Sequence, residues 1–270
     1  MRFCAGAVPR LHLFPKYGRA IKITVKASLL PLINWNSCPV ELISTDVRHA
    51  MANYAIIPIR SGSKRFPNKN IFPIDGLPLF HFAAHVARLS GVFDKVIITS
   101  DSEEYLKIAQ DYGYDLHKRS EAASSDHASS EDIIDEVLRD FDMKEGDWAF
   151  LIQATSPFQQ EHYFQAAAAQ INRGISSIVT YRSFKRFFLE DVIGKERKRT
   201  QDFASRKLET GMFWGFNVGA FFEKKNRIIE PYGLVEIKEF DDVDIDYFED
   251  IENHIPRLKA LAQQYKAEKP

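Results

Sequence analysis

Between Arg60 and Asn70 the chain reads Arg-Ser-Gly-Ser-Lys-Arg-Phe-Pro-Asn-Lys-Asn, which sets four cations on a turn of Gly and Ser. Small residues let backbone N–H groups approach phosphate oxygens, and Arg and Lys neutralise their charge, so the stretch has the makings of a polyphosphate cradle. A solvated basic turn has the same composition. The spacing is neither G-x-x-x-x-G-K-S/T nor G-x-G-x-x-G. A second constellation is Asp244-Ile245-Asp246. In extended backbone, residues two apart share a face, so these carboxylates converge. Two hard oxygen donors with room for water and a phosphate oxygen suit Mg²⁺. The plain alternative is an acidic strand end, since Asp241 and Asp242 stand close by. A third is Leu151 to Pro157, a buried run ending in Gln153, Thr155 and Ser156, which is where open α/β sheets bind ligands. An ordinary strand-to-helix turn looks similar.

Other chemistries find little support. His81, His85, His117, His127 and His162 show no H-E-x-x-H or other ligand spacing, and structural roles are expected for His81 and His85. No G-x-S-x-G elbow is present. Both cysteines, Cys4 and Cys38, precede residue 51, so the remainder has no thiol for a disulfide, a metal or a nucleophile.

The elements that must carry these residues alternate between strand and helix, the pattern of an α/β protein with a parallel sheet and helices on both faces. Strands are expected at Tyr54–Ile59, Lys95–Thr99, Trp148–Gln153 and Ile175–Tyr181. Helices are expected at Pro78–Ser90, from Ser102 to Tyr112, from Ser129 through Phe141, and at Gln160–Arg173. Ser100-Asp101-Ser102-Glu103 is a capping-box pattern, and Gly113 is placed to end that helix. The alternation breaks over residues 182–207, a basic and aromatic excursion that fits a lid, an arm or a dimerisation element. Regular structure resumes at Leu208–Phe222, and residues 247–266 form a last amphipathic helix.

The 270 residues carry a net charge of −1, unevenly spread. Residues 1–50 hold seven Lys/Arg against two Asp/Glu, and the rest hold 29 against 35. A net-acidic body argues against nucleic-acid binding and favours one small anionic ligand for its local cationic cluster. No apolar run is long enough to span a bilayer. Residues 1–50 are read as an extension outside a domain covering 51–270, with organelle targeting as the alternative to a cytoplasmic protein.

Taken in order, these motifs resemble the acylneuraminate cytidylyltransferases, the CMP-sialic acid synthetase family with its pseudaminic and legionaminic acid relatives. Arg60, Gly62, Ser63, Lys64, Lys69 and Asn70 match a phosphate loop of the form A-R-x-G-S-K-x-x-x-x-K-N. Val96 to Glu103 resembles V-x-V-S-T-D-x-E, and Arg119 with Ala128-Ser129-Ser130 resembles R-P…A-S-S. Leu151 to Pro157 resembles L-L-Q-P-T-S-P, and Asp244 to Asp250 resembles D-I-D-T-P-E-D. Thr210 to Gly215 and Arg199-Thr200-Gln201-Asp202 are closer to the pseudaminic acid branch. Departures are Ala154 for the proline of Q-P-T-S-P, Gln159 where arginine is frequent, and Ser120 for the proline after Arg119.

The resemblance implies a Rossmann-like nucleotidyltransferase fold and transfer of CMP from CTP to a nine-carbon sugar acid with release of pyrophosphate. It assigns Arg60 and Lys69 to the triphosphate as catalytic cations, with Lys64 and Arg65 only shaping the local field. Ser63, Asn70, Arg119 and Ser130 are assigned to the nucleotide, Gln153 and Arg199 to the sugar acid, and Asp244 and Asp246 to Mg²⁺. A homodimer built through the excursion is implied as well. The alternatives are a nucleotide-binding homologue without turnover, or an enzyme for another sugar acid such as Kdo, although the Kdo type carries Lys-Pro where this chain has Lys69-Asn70.

Overall fold

The computed structural model describes residues 50–268 apart from Asp126 and Lys198; the expected extension therefore lies outside the described residues except for Ala50. The chain forms β1 (Asn53–Ile59), a small hairpin of β2 (Pro73–Ile74) and β3 (Leu77–Pro78), α1 (Leu79–Leu89), β4 (Lys95–Ser100), α2 (Glu103–Asp111) and β5 (Asp115–Lys118). There follow α3 (Glu121–Ser124), α4 (Ser130–Asp140), β6 (Trp148–Ile152), α5 (Glu161–Ala168) and β7 (Ser177–Phe184). The rest comprises α6 (Leu189–Val192), β8 (Arg206–Asn217), α7 (Val218–Lys224), β9 (Tyr232–Glu236) and α8 (Phe248–Ala267).

Seven strands form one sheet in the order β5-β4-β1-β6-β8-β7-β9. β8 runs antiparallel to both its neighbours, and every other pair in the sheet is parallel. The strand interiors are apolar because both faces of the sheet are covered. Alternation along each strand divides the core in two. Ala55, Ile57 and Ile59 of β1 and Trp148, Phe150 and Ile152 of β6 pack with α1, α5 and α8. Ile56, Ala149 and Leu151 face the other way, against Ile134, Val137 and Leu138 of α4 and Val218 and Phe221 of α7. Gly215 on β8 lies on the Phe150 side of the sheet, where an added Cβ would come 2.7 Å from the Phe150 ring.

The caps follow the sequence. Ser102 accepts from the Tyr105 N–H at the start of α2, and Ser129 with Asp132 forms a full capping box on α4. Gly113 has φ +70°. Two expectations are corrected. The helix expected to run from Gln160 to Arg173 stops at Ala168 and resumes only as a 3-10 turn over Ile171–Arg173. The excursion is narrower than 182–207, because β7 continues to Phe184 and β8 starts at Arg206, and their pairing carries the segment out as a two-stranded arm. Within the sheet, β7 and β8 fall out of register between Val179 and Tyr181. Trp214 is the last partner on the core side and Glu209 the first on the arm side. Thr210 to Phe213 thus form an extended bulge, with Gly211 at φ +68° in backbone that favours glycine.

Candidate active site

The chain passes β1, β4 and β5 in one direction across the sheet, then returns to the other side of β1 with β6. That reversal opens a crevice beyond the carboxyl ends of β1 and β6, where open α/β sheets take ligands. A cavity of about 690 Å³ lies at this place. Arg60 is the first residue after β1 and Gln153 the first after β6, and both line it.

The cationic turn is held by its own contacts. The Ser61 N–H and hydroxyl both donate to Asp101, at 2.9 and 2.7 Å. Burial pushes the Asp101 carboxyl up, but the Ser61 bonds, a backbone N–H of its own and the Arg119 charge together leave it below the usual carboxylate range. Asn70 donates to the Arg60 carbonyl at 3.1 Å, closing the loop on itself. Asn68 takes a left-handed conformation at φ 57°, its side chain accepting from the Tyr105 hydroxyl, and a 3-10 turn over Lys69–Ile71 follows. This turn buries Lys69 and Asn70. The Lys69 Nζ lies 2.8 Å from Asp246 Oδ1, and Arg65 Nη1 lies 2.7 Å from Asp246 Oδ2. Arg65 and Lys69 thus share the one Asp246 carboxylate.

Asp244 and Asp246 both border the cavity, as their spacing predicts. The Ile245 N–H donates to the Thr155 carbonyl at 2.8 Å, tying this segment, which forms no strand, to the turn after β6. Burial pushes the Asp244 carboxyl up, Thr155 opposes the shift, and Asp246 adds to it. Asp246 is driven the opposite way, chiefly by its hydrogen bond from Lys69. Paired hard carboxylates, one of them raised by burial beside a second negative charge, are a donor set that a divalent cation relieves.

On the far wall stand Arg119, Ala128, Ser130 and Ile133. Arg119 is buried, and desolvation pushes its guanidinium down to about 10, with Asp101 and Glu136 opposing; it stays charged at neutral pH. Ser130 opens α4 just after the Ser129 cap. Thr210, Gly211 and Trp214 complete the wall from the β8 bulge, whose Met212 carbonyl accepts from the Gln153 N–H at 3.1 Å and from buried Gln159 at 3.2 Å.

Nine of the sequence-derived residues, Arg60, Ser63, Lys69, Asn70, Arg119, Ser130, Gln153, Asp244 and Asp246, thus border one cavity. Arg199 is not among its lining residues. It sits on the arm with its side chain 75% exposed and its guanidinium forked onto Asp202, at 2.7 and 3.3 Å. The β7–β8 pairing carries it out of the sheet. Thr155 was visible only as part of a polar cluster, and nothing local marked it as the carboxylate's partner. Arg65 lacked a signal because its contact spans 181 positions of sequence.

A cationic turn, a switch-point crevice and a carboxylate pair together define an α/β protein of the nucleotidyltransferase class. The family described as cytidylyltransferase matches residues 54–210, and the chain belongs to that family. Among its relatives are an N-acylneuraminate cytidylyltransferase of Escherichia coli, 42% identical over 113 residues, which are 42% of this chain and 26% of the relative. A pseudaminic acid cytidylyltransferase of Campylobacter jejuni is 28% identical over 220 residues, covering 75% of this chain and 94% of that protein. The chain thus spans about a quarter of the length of the first and nearly all of the second. Among solved structures, CMP:2-keto-3-deoxy-manno-octonic acid synthetase complexed with CTP superposes with a TM-score of 0.57 at 14% identity. It covers 79% of this chain and 99% of that one, a likeness of fold.

Proposed function

We propose that this protein transfers CMP from CTP to a nonulosonic sugar acid and releases pyrophosphate. The observation that carries the reading is the convergence of Arg60, Lys69, Arg119, Asp244 and Asp246 on one cavity at the switch point. The names of the Escherichia coli and Campylobacter jejuni relatives support the substrate class. In such a reaction a hydroxyl of the acceptor attacks the α-phosphorus in line and pyrophosphate leaves, so catalysis rests on positioning and on neutralising charge. Arg60 and Lys69 neutralise the triphosphate, and Lys69, being buried, holds its charge in fixed position. Ser63 and Asn70 shape the cradle, while Arg119 and Ser130 hold the base and ribose side. Asp244 and Asp246 would hold Mg²⁺, which when bound orients the phosphates and acidifies the attacking hydroxyl. Gln153, with Thr210, Gly211 and Trp214 at the β8 bulge, faces the acceptor.

The Thr210–Gly215 sequence and the relative that this chain nearly spans favour pseudaminic acid as the acceptor. The arm exposes Phe188, Leu189, Ile193 and Leu208, which supports a homodimer formed through it. The test of function is pyrophosphate release from CTP and Mg²⁺ across a panel of nonulosonic acids. Release with at least one acceptor is expected. CTP binding without release for any of them would instead support a nucleotide-binding homologue without turnover.

A further inference from the structure

Behind the nucleotide wall a buried polar chain leads from Arg119 to residues that the proposed reaction does not use. Arg119 spends two N–H groups on one residue: Nε donates to Thr99 Oγ1 at 3.2 Å and Nη2 to the Thr99 carbonyl at 2.9 Å. Thr99 Oγ1 lies 2.9 Å from His117 Nδ1, and His117 Nε2 lies 3.0 Å from Asp140 Oδ2 and 3.6 Å from Glu136 Oε1. Thr99, His117 and Arg119 are 0, 4 and 6% exposed, so these groups have little recourse to water.

With a neutral imidazole, one consistent set of donor and acceptor roles runs along the chain. A guanidinium can only donate, so the Thr99 oxygen accepts from Arg119. An ionised carboxylate can only accept, so His117 carries a proton on Nε2. A neutral imidazole protonated at Nε2 accepts at Nδ1, and the Thr99 hydroxyl supplies that bond. The result is a one-way relay from Thr99 through His117 to Asp140. It leaves the Thr99 lone pairs turned to the Arg119 Nε–H.

A departure from the family motif reinforces the far end. Ser120 stands where the resemblance places proline, and its N–H donates to Glu136 Oε1 at 2.8 Å while its hydroxyl bonds Glu136 Oε2. Proline has no N–H to give. Glu136 and Asp140 both lie on α4, the helix that begins with Ser130.

We propose that His117 is a positioning residue for nucleotide binding: acting through Thr99, it fixes the rotamer of Arg119. It touches no part of the cavity itself, and the proposal rests on the reading of Arg119 as a nucleotide ligand.

The test uses the full chain and its affinity for CTP with Mg²⁺ by calorimetry, beside melting temperatures. An Asn amide reaches the place of the imidazole Nδ1, and a Gln amide that of Nε2. His117→Asn therefore keeps an acceptor for Thr99, whereas His117→Gln keeps only the link to Asp140. His117→Gln and Thr99→Val are expected to weaken CTP about tenfold, the worth of one hydrogen bond, while His117→Asn and Thr99→Ser stay within about threefold. Equal losses in the Asn and Gln variants, or losses that merely follow the melting temperature, would overturn the proposal. The Arg119 Nε–H resonance in ¹H–¹⁵N spectra decides the positioning separately. It should persist in His117→Asn and broaden or shift in His117→Gln, and an unchanged signal in both would sink it. Arg119→Lys with undiminished CTP affinity would instead remove the nucleotide reading of Arg119.

Discussion

Lys69 meets two demands with one ammonium group. In the resting site it neutralises Asp246 at 2.8 Å, and in the proposed reaction it must serve the triphosphate. Its value lies in being buried and already oriented when negative charge moves onto the leaving group. Lys69→Ala is therefore expected to lower kcat by roughly a hundredfold or more, with less than about a tenfold loss of CTP affinity. Single-turnover kinetics beside equilibrium binding separate the two, and near-normal turnover would remove Lys69 from catalysis. The carboxylates make a matched prediction. Asp244→Asn and Asp246→Asn should each raise the Mg²⁺ concentration that gives half-maximal rate. Unchanged Mg²⁺ dependence in both would dismiss them as metal ligands. At this scale the sequence spoke through local spacing: Asp244 and Asp246 sit two apart and both reach the cavity, though the segment forms no strand. The Thr99–His117 bond was not visible, because it joins neighbouring strands β4 and β5 whose register no local pattern sets.

The bulge of β8 brings Thr210, Gly211 and Trp214 to the cavity wall, on the side proposed for the acceptor. Thr180 Oγ1 donates to the Phe213 carbonyl at 2.9 Å, accepts from the Phe213 N–H, and lies 2.9 Å from the Thr210 hydroxyl, so one buried threonine pins both ends of the bulge. Gly211→Ala puts a side chain at φ +68°, where the expected cost is about 1 kcal/mol or more. Its larger effect should be on function: a raised KM for the sugar acid, with CTP affinity and the melting temperature little altered. A CTP affinity that falls in step with acceptor KM would show that the bulge does not divide the two substrates. The core strands β1, β4 and β6 could be read as unbroken apolar runs. The direction of β8 could not, since an apolar strand has the same composition whichever way it points. The arm resisted for a related reason: its basic and aromatic residues pair with each other beyond the core, where burial writes no period. Arg199 went with it.

For the molecule as a whole, the core around α1 holds two histidines that the site leaves aside, His81 and His85. His81 is buried on α1, its Nδ1 2.9 Å from the Tyr114 hydroxyl, and burial with His85 and Arg88 pushes its pKa down to about 3. The unfolded chain protonates this group near 6.5, whereas the folded chain does so only near 3. Between those values the unfolded state binds more protons, so stability rises with pH and is lost as pH falls; at pH 5 the loss is about 2 kcal/mol. Urea unfolding at pH 7 and pH 5 tests this, with His81→Asn expected to show a smaller drop than the parent chain. Equal drops would place the acid sensitivity elsewhere.

The offset between β7 and β8 also bears on how the chain could have diversified. On the core side Trp214 to Asn217 is anchored by β6 as well as β7, whereas on the arm side Glu209 to Arg206 answers to β7 alone. A residue gained or lost in the arm can be absorbed at the bulge without turning the inward side chains of β8 outward. The arm is thereby freed from the register that holds the sheet. Changes in its length or charge should leave the cavity at the switch point in place.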